Sequence, residues 1–235
     1  MYYTQDLSYI FIYGLLIAAF IISLVAQVRV QTTFSKYSGV ASASGLTGAQ
    51  VAAKLLGSQN VTDVMIGPIA GNLTDHYNPS KKTLALSQNV YDKASLAASA
   101  VAAHECGHAM QHASGYGPLK LRTAIVPVAS ISSKISWLFV IIGLFYNTTT
   151  GSVFLNIGIA LFSAAVAFQL ITLPVEFNAS RRGLKLLESN GILTNAEVKG
   201  ASKVLRAAAL TYVASASVAV LQLLRLIVIS QGRRR

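Results

Sequence analysis

The chain has 235 residues, of which 53% are hydrophobic and only 11% are charged, and its formal net charge is +11. Soluble domains carry about a quarter charged residues, so this composition and a mean hydropathy of +0.54 exclude an ordinary soluble protein and indicate a membrane protein. The cations do not indicate nucleic-acid binding, because they form no stripe interleaved with aromatics and fall between apolar runs, as topology signals do. The single cysteine, Cys106, excludes an intrachain disulfide.

Three apolar runs predict membrane-spanning helices, since about 20 helical residues cross a bilayer. The first, 7–28, is longer than the core of a signal peptide and lacks its leading Lys or Arg. The others, 123–146 and 152–173, are joined by a short "NTTTG" that favours an antiparallel pair. Lys134 either faces protein or water within its span or marks a helix that begins along the membrane surface. A fourth run, 207–229, fits a span or a helix packed against the polar segments.

The distribution of Lys and Arg predicts the orientation in the membrane. Residues 29–122 carry eight and residues 174–206 carry six, whereas residues 1–28 and 147–173 carry none. Because loops rich in these residues stay in the cytoplasm, both polar segments are expected inside the cell and the amino terminus outside. The closing "RRR" at 233–235 fits an inside carboxyl terminus, and it therefore conflicts with a fourth span.

The first polar segment predicts a small group of elements before the histidines. They are a helix at 45–57 followed by strands at 61–66, 73–77 and 83–87. The turn "NPSKK" makes the last two strands an antiparallel hairpin. If an edge of strand 83–87 is free, it can bind an extended peptide through main-chain hydrogen bonds. Asp92 is then expected to cap a helix that stops near Gly115.

That predicted helix carries "HECGHAMQH" at 104–112. Residues four apart lie on one face of a helix, so His104 and His108 can each give one nitrogen to a single ion. Glu105, at the edge of that face, can reach a water on the metal. This is the HExxH pattern of zinc peptidases. The other interpretation is a satisfied polar face or a structural metal clip, which needs no Glu105 and prefers four protein ligands.

His112 is not expected to be the third ligand. It lies eight residues from His104, about 12 Å along a helix, whereas Zn–N bonds are about 2 Å long. Gln111 also stands where the pattern HExxHxxGxxH has its glycine. His112 is therefore interpreted as a group beside the ligands or the substrate, or as a helix-end cation favoured by the dipole.

The third ligand must come from elsewhere in a chain that has eight Asp and Glu residues. Glu176 stands out because it follows the third apolar run closely, which places it near the membrane surface. His108 is also expected near that surface, about 15 residues before the second run. Glu188 and Glu197 are typical of solvated helix faces.

Four stretches resemble, in order and over nearly the whole chain, the YugP-like family of membrane-bound neutral zinc metallopeptidases. They are "SGLTGAQVAAKLL", "GNLTDHYNPSKKTLALSQNVYDKASLAASAVAAHECGHAMQH", "PVEFNASRRG" and "AAALTYVASA". More distantly, HExxH followed by ExxA is similar to the HtpX-type and CAAX prenyl proteases, a gluzincin pattern. The resemblance implies His104, His108 and Glu176 as zinc ligands and Glu105 as the base. Distant relatives carry Asp at the position of Ser180, where it supports a ligand histidine.

A second oxyanion donor is expected beside the metal. The candidates are His76, His112, Tyr77, Tyr91 and Arg181. His76 has a slight advantage, because "TDHY" at 74–77 is part of the resemblance. The other interpretation of His76 is an ordinary strand histidine.

Together these features predict a mainly α integral membrane protein, one membrane-embedded domain over 1–235 with zincin-like catalytic helices and a small antiparallel sheet. The catalytic segments are 29–122 and 174–206. The predicted function is a zinc endopeptidase that cleaves peptides or membrane-protein segments with a zinc-activated water at the cytoplasmic membrane face. Its partners are one Zn²⁺ and the lipid bilayer, with no nucleic acid, although manganese or cobalt also suits His and carboxylate ligands. The alternative function is a non-catalytic membrane scaffold with a structural zinc site.

Overall fold

The computed structural model describes residues 2–146 and 148–233, with side chains from residue 10 onward. The elements of this part of the chain are α1 (Tyr2–Ser38), α2 (Gly48–Ser58), β1 (Met65–Ile69), β2 (His76–Asn78), β3 (Thr83–Ser87), α3 (Gln88–Tyr91), α4 (Leu96–Ala113), α5 (Gly117–Phe145), α6 (Thr149–Ser189) and α7 (Asn195–Gly232). The predicted mainly α fold with a small sheet is confirmed.

Among the described residues, four helices are long and apolar enough to cross a membrane, namely α1, α5, α6 and α7. Each is longer than the apolar run that predicted it, because the helix continues into polar sequence. The fourth run, 207–229, is part of the single continuous helix α7, whose length and composition match a span. Lys134 lies exposed within α5, so the helix does not end or restart at this lysine.

The chain divides into two compact units, each made of separate segments. The apolar unit comprises Met1–Val25, Leu121–Leu173 and Thr211–Arg235, and the histidine unit comprises Ala26–Lys120 and Pro174–Leu210. The second unit is named for the four histidines of the chain, which all lie in it. Its two segments correspond closely to the predicted catalytic segments.

In the apolar unit, close backbone contact joins α5 to α6. A Cβ on Gly143 would lie 2.5 Å from the backbone nitrogen of Leu155, so only glycine fits there. Helices in lipid associate through such contacts, since apolar burial does not favour one helix over the lipid. Arg233, after α7, donates to the carbonyl oxygens of Gly143 and Leu144, the latter at 2.7 Å. One arginine of the closing "RRR" therefore provides hydrogen-bond donors for carbonyl oxygens in the last turn of α5. Residues 234–235 lie outside the described residues.

In the histidine unit, the strands form one sheet in the order β1–β3–β2. The predicted antiparallel hairpin is present as β2 and β3, with Tyr77 opposite Leu84. Strand β1 joins β3 in parallel, with Met65 opposite Thr83, and it begins later than the predicted strand 61–66. Strand β3 has no free edge for a peptide, because it is central and the protein's own strands β1 and β2 pair with it on both sides.

Helix α4 begins and ends at recognisable caps. The side chain of Ser95 accepts a hydrogen bond from the Ala98 N–H at 3.2 Å and so caps its first turn. The prediction that Asp92 caps this helix is wrong, because the short helix α3 intervenes and Asp92 is its carboxyl-terminal cap. At the other end, Gly115 has a φ of +63° directly after the cap residue Ser114. The predicted stop near Gly115 is confirmed, and it uses the left-handed conformation that glycine allows.

Helix α4 is the centre of the histidine unit. Its alanines are packed against fully buried leucines of its neighbours, namely Leu55 of α2 and Leu84 and Leu86 of β3. Ala201 of α7 is also fully buried in this cluster. Because elements on several sides surround it, α4 is a rigid support for the side chains that it carries.

Two glycines set the distance between α4 and α6. A Cβ on Gly107 of α4 would lie 2.3 Å from the carbonyl oxygen of Ala179, and one on Gly183 of α6 would lie 2.4 Å from that of Ala103. Both obstacles are backbone atoms, so neither can rotate away. The two contacts lie at residues 103–107 of α4, and they bring α6 against the two histidines of the HExxH pattern.

Alanine at Gly107 or Gly183 is expected to force α4 and α6 apart and to lower the midpoint of thermal unfolding. Overpacking of this kind costs about 1–3 kcal/mol or more. The control is Gly57→Ala in α2, because nothing lies within 4 Å of an added Cβ there. Removing a glycine from a helix stabilises by up to about 1 kcal/mol, so this variant should unfold at or above the wild-type midpoint. Equal midpoints for all three variants, measured in detergent, would contradict the packing.

Candidate metal centre

Helices α4 and α6 bring His104, His108 and Glu176 together. Oε2 of Glu176 lies 3.2 Å from Nε2 of His104 and 3.5 Å from Nε2 of His108. One ligand atom from each residue lies within 4.8 Å of the other two. Around a tetrahedral zinc ion with bonds of about 2.0–2.1 Å, neighbouring donor atoms are about 3.3 Å apart. The spacing and the set of two imidazoles and one carboxylate therefore fit a single zinc ion.

Helical periodicity explains how each pair of side chains converges. His104 and His108 are one turn apart on α4, and their rings meet edge to face with centroids 4.8 Å apart. Glu176 and Ser180 are likewise one turn apart on α6, on the side that contacts Gly107. Glu176 is only 3% exposed. A carboxylate buried so deeply requires cations or hydrogen-bond donors around it, and this cluster supplies the two imidazoles.

The charges of the site also act on His108. Burial lowers the pKa of His108, but the hydrogen bond to Glu176 and the charges of Glu105 and Glu176 outweigh burial and raise the pKa above its usual value. A proton and a metal ion compete for the same imidazole. Because a raised pKa favours the proton, metal affinity is expected to fall as the pH decreases.

Glu105 is 7% exposed and lies on α4 directly after His104. Successive helical residues differ by about 100° around the axis, so Glu105 lies beside the ligand face and outside it. Its neighbour Cys106 is fully buried, and burial, with the charge of Glu105 adding to it, raises the pKa of the thiol strongly. A thiol that stays protonated is a poor metal ligand, which leaves the histidines and Glu176 as the donor set.

Each histidine of the cluster has a partner on its other ring nitrogen. Nδ1 of His104 lies 3.0 Å from Oγ of Ser180, the position at which distant relatives were expected to carry Asp. Nδ1 of His108 lies 3.0 Å from Oε1 of Gln111. In both rings Nε2 is thereby left toward Glu176, the arrangement usual around metal-ligating histidines.

Sequence reasoning did not find Gln111 or Asn178. Gln111 is fully buried, and its amide nitrogen donates to the Val175 carbonyl at 2.8 Å and to Oδ1 of Asn178 at 3.0 Å. Its spacing of three residues from His108 on a helix is a signal that could have indicated the contact. Nothing local indicated Asn178, since its partner lies 67 residues away in the chain.

The candidate oxyanion donors occupy different environments. The hydroxyl of Tyr77 lies 2.8 Å from Nδ1 of His112, so β2 contacts the last turn of α4 there. Successive residues of a strand face opposite sides, so His76 faces away from the side on which Tyr77 meets α4. Tyr91 packs against the core cluster, and Arg181 is exposed.

The two glutamates outside the candidate site, Glu188 and Glu197, differ in their contacts. Glu188 is exposed on α6, as expected of a solvated residue. Glu197 is not merely solvated, because it accepts hydrogen bonds from the N–H of Ala43 at 2.7 Å and that of Thr194 at 2.8 Å. Glu197 therefore links the start of α7 to the segment after α1.

Comparison with known proteins agrees with this geometry. A family model described as "Putative neutral zinc metallopeptidase" matches residues 12–231. The chain is 46% identical over 215 residues to "Putative membrane protease YugP" of Bacillus subtilis (strain 168), which covers 92% of this chain and 94% of the relative. No solved structure was found to match the chain. Since the family model spans nearly its whole length and includes all three residues of the cluster, the chain belongs to this family of neutral zinc metallopeptidases.

Proposed function

We propose that the chain is a multi-pass membrane endopeptidase that uses one zinc ion, held by His104, His108 and Glu176. The observation that carries this proposal is the convergence of three ligand atoms within 4.8 Å beside the buried Glu105. Three protein ligands leave one coordination position for water, as in catalytic zinc sites. The name of the relative as a membrane protease supports the same activity. When bound, zinc supplies a Lewis acid that polarises the peptide carbonyl and lowers the pKa of water to about 7.

Glu105 is the general base of the proposed reaction. Its carboxylate accepts a proton from the attacking water and then delivers that proton to the leaving amine. Burial on a rigid helix, next to the ligand His104, holds the carboxylate in place and limits competition from bulk water. The alternative function is a scaffold with a structural zinc site. Such a site requires no general base and prefers four protein ligands.

His112 is the proposed second donor to the developing oxyanion. It lies one turn beyond His108 on the same face of α4, and it is exposed, so a bound peptide can reach it. Burial, with the charge of Asp63 adding to it, raises the pKa of Tyr77, so the phenol stays protonated and can donate to Nδ1 of His112. The neutral imidazole then carries its proton on Nε2, where it can donate to the substrate.

The proposed active site faces the cytoplasm, where peptides and segments of membrane proteins can reach it. Residues 29–122 and 174–206 carry fourteen Lys and Arg together, eight and six, whereas residues 147–173 carry none. With four spans, both termini lie on the other side of the membrane, so the closing "RRR" at 233–235 is the exception to this charge pattern. The charge-rich segments then follow the positive-inside rule.

Glu105→Gln is expected to abolish peptide cleavage, with a loss of about 10²–10⁴-fold, while the zinc content stays at one ion per chain. The control is Glu188→Gln, which removes an exposed carboxylate on α6 and should keep both activity and zinc. Cleavage of a peptide library and metal analysis of the purified proteins make the comparison. Unchanged cleavage by Glu105→Gln would exclude the proposed mechanism.

His112→Ala is expected to lower kcat by about 10²–10³-fold with little change in KM, as loss of an oxyanion donor does. Tyr77→Phe should give a smaller loss, because it removes only the hydrogen bond that orients the ring. His76→Ala serves as control and should behave as wild type. Steady-state kinetics that give His112→Ala a wild-type kcat would remove His112 from the proposal.

The orientation can be tested by thiol labelling in intact cells, since the only native cysteine is fully buried and unreactive. Thr150→Cys, exposed at the start of α6, is expected to react with a membrane-impermeant maleimide. Lys81→Cys, exposed between β2 and β3, should react only after the cells are permeabilised. The reverse pattern would place the candidate site outside the cell.

A further inference from the structure

We propose that Gln111 is a positioning residue, which fixes the tautomer and the ring orientation of His108 through a chain of hydrogen bonds that ends at Arg182. This inference rests on the metal centre of the proposed function. Its starting point is the contact of 3.0 Å between Oε1 of Gln111 and Nδ1 of His108. Gln111 has no exposed surface, so its polar atoms depend on partners within the protein.

The partners of Gln111 determine which way its amide points. The amide nitrogen of Gln111, Nε2, lies 2.8 Å from the carbonyl oxygen of Val175, and that oxygen can only accept a hydrogen bond. The NH₂ group must therefore face Val175, and Oε1 must face His108. An amide oxygen accepts but cannot donate, so the proton of a neutral His108 ring must sit on Nδ1. The lone pair of the His108 ring is then on its own Nε2, the atom that faces Glu176.

The next link of the chain is fixed by the same reasoning. Oδ1 of Asn178 accepts from Nε2 of Gln111 at 3.0 Å and from Nε of Arg182 at 2.8 Å. A guanidinium only donates, so the oxygen of Asn178 must be the atom that faces both. Arg182 also donates to Oγ of Ser114 at 3.3 Å and lies over the ring of Tyr116, 5.6 Å from its centroid. The chain thus starts on α4, crosses to α6 and returns to the residues just after α4.

Glutamine is the side chain that these contacts require at position 111. It must accept from His108 and donate twice, to Val175 and Asn178. Methionine fills a similar volume but can do neither, and the second oxygen of a glutamate would face two acceptors. By contrast, His104 relies on the hydroxyl of Ser180, which can rotate to suit its partner. The Gln111 chain is therefore the more rigid of the two supports.

The test is the zinc affinity of the full-length protein in detergent, measured against a chelator of known affinity. Gln111→Met is expected to bind zinc about 10- to 100-fold more weakly, the usual effect of losing such a support. Asn178→Asp keeps an oxygen that accepts from both Gln111 and Arg182, so it should bind about as tightly as wild type. Asn178→Leu removes that acceptor and should bind more weakly than Asn178→Asp. The control for the chemical change is Gln59→Met, an exposed glutamine after α2, which should match wild type.

A second measurement reports the tautomer itself. Selective ¹⁵N labelling of histidine gives only four ring systems in this chain. In the zinc-loaded wild type, the ring of His108 should show a proton held on Nδ1 and protected from exchange. In Gln111→Met that protection should be lost, whereas a purely structural role for Gln111 would leave it unchanged.

The outcomes separate this inference from the proposed function. A wild-type protein that binds no zinc overturns the metal centre and the inference together. A wild type that binds zinc, with Gln111→Met equally tight, overturns the role of Gln111 alone. If Gln111→Met does not fold, the Asn178 pair decides, and equal zinc affinity for Asn178→Asp and Asn178→Leu overturns the inference.

Discussion

The contact between α4 and α6 at Gly107 and Gly183 is the constraint on which the candidate site depends. Two histidines on one helix cannot complete a metal centre, and the carboxylate that joins them, Glu176, comes 68 residues after His108 in the chain. Only backbone-to-backbone contact lets that carboxylate oxygen lie 3.2 Å from the nearer imidazole nitrogen, on His104. Metal–ligand bonds are about 2 Å long, so a Cβ that separates the helices by an ångström would remove one donor.

Burial makes the positions of the donors specific. A buried polar group must have a partner, and here the partners are side chains that also orient the ligands. Ser180 and Gln111 satisfy one nitrogen each of His104 and His108, and both are uncharged. Neither carboxylate of the site is therefore needed as the partner of a histidine Nδ1. Glu176 lies among the donor atoms, and Glu105 is the proposed base. If zinc binds these three donors, one coordination position would remain for water.

Sequence alone predicted the parts of the site that depend on helical periodicity, and it predicted less where distant segments meet. His104, Glu105 and His108 follow from the spacing in HExxH, and Glu176 followed from its place after an apolar run and from a resemblance to known proteases. Gln111 was read only as a departure from another pattern, because its partners on α6 are distant in the chain. The prediction that Asp92 caps α4 failed for a local reason, because Asp92 is the carboxyl-terminal cap of the four-residue helix α3 and α4 starts later in the chain. The parallel pairing of β1 depends on strand order, which alternation within a strand does not indicate.

The most direct test of the metal centre is the zinc stoichiometry and coordination of the purified protein, measured by metal analysis and zinc X-ray absorption, in wild type and in Glu176→Gln. The expected result is one zinc per wild-type chain with only nitrogen and oxygen neighbours, two of them imidazoles, and markedly weaker binding in the variant. A folded wild-type protein that takes up no zinc, or a variant that binds it as tightly as wild type, would contradict the assignment of His104, His108 and Glu176 as one metal site.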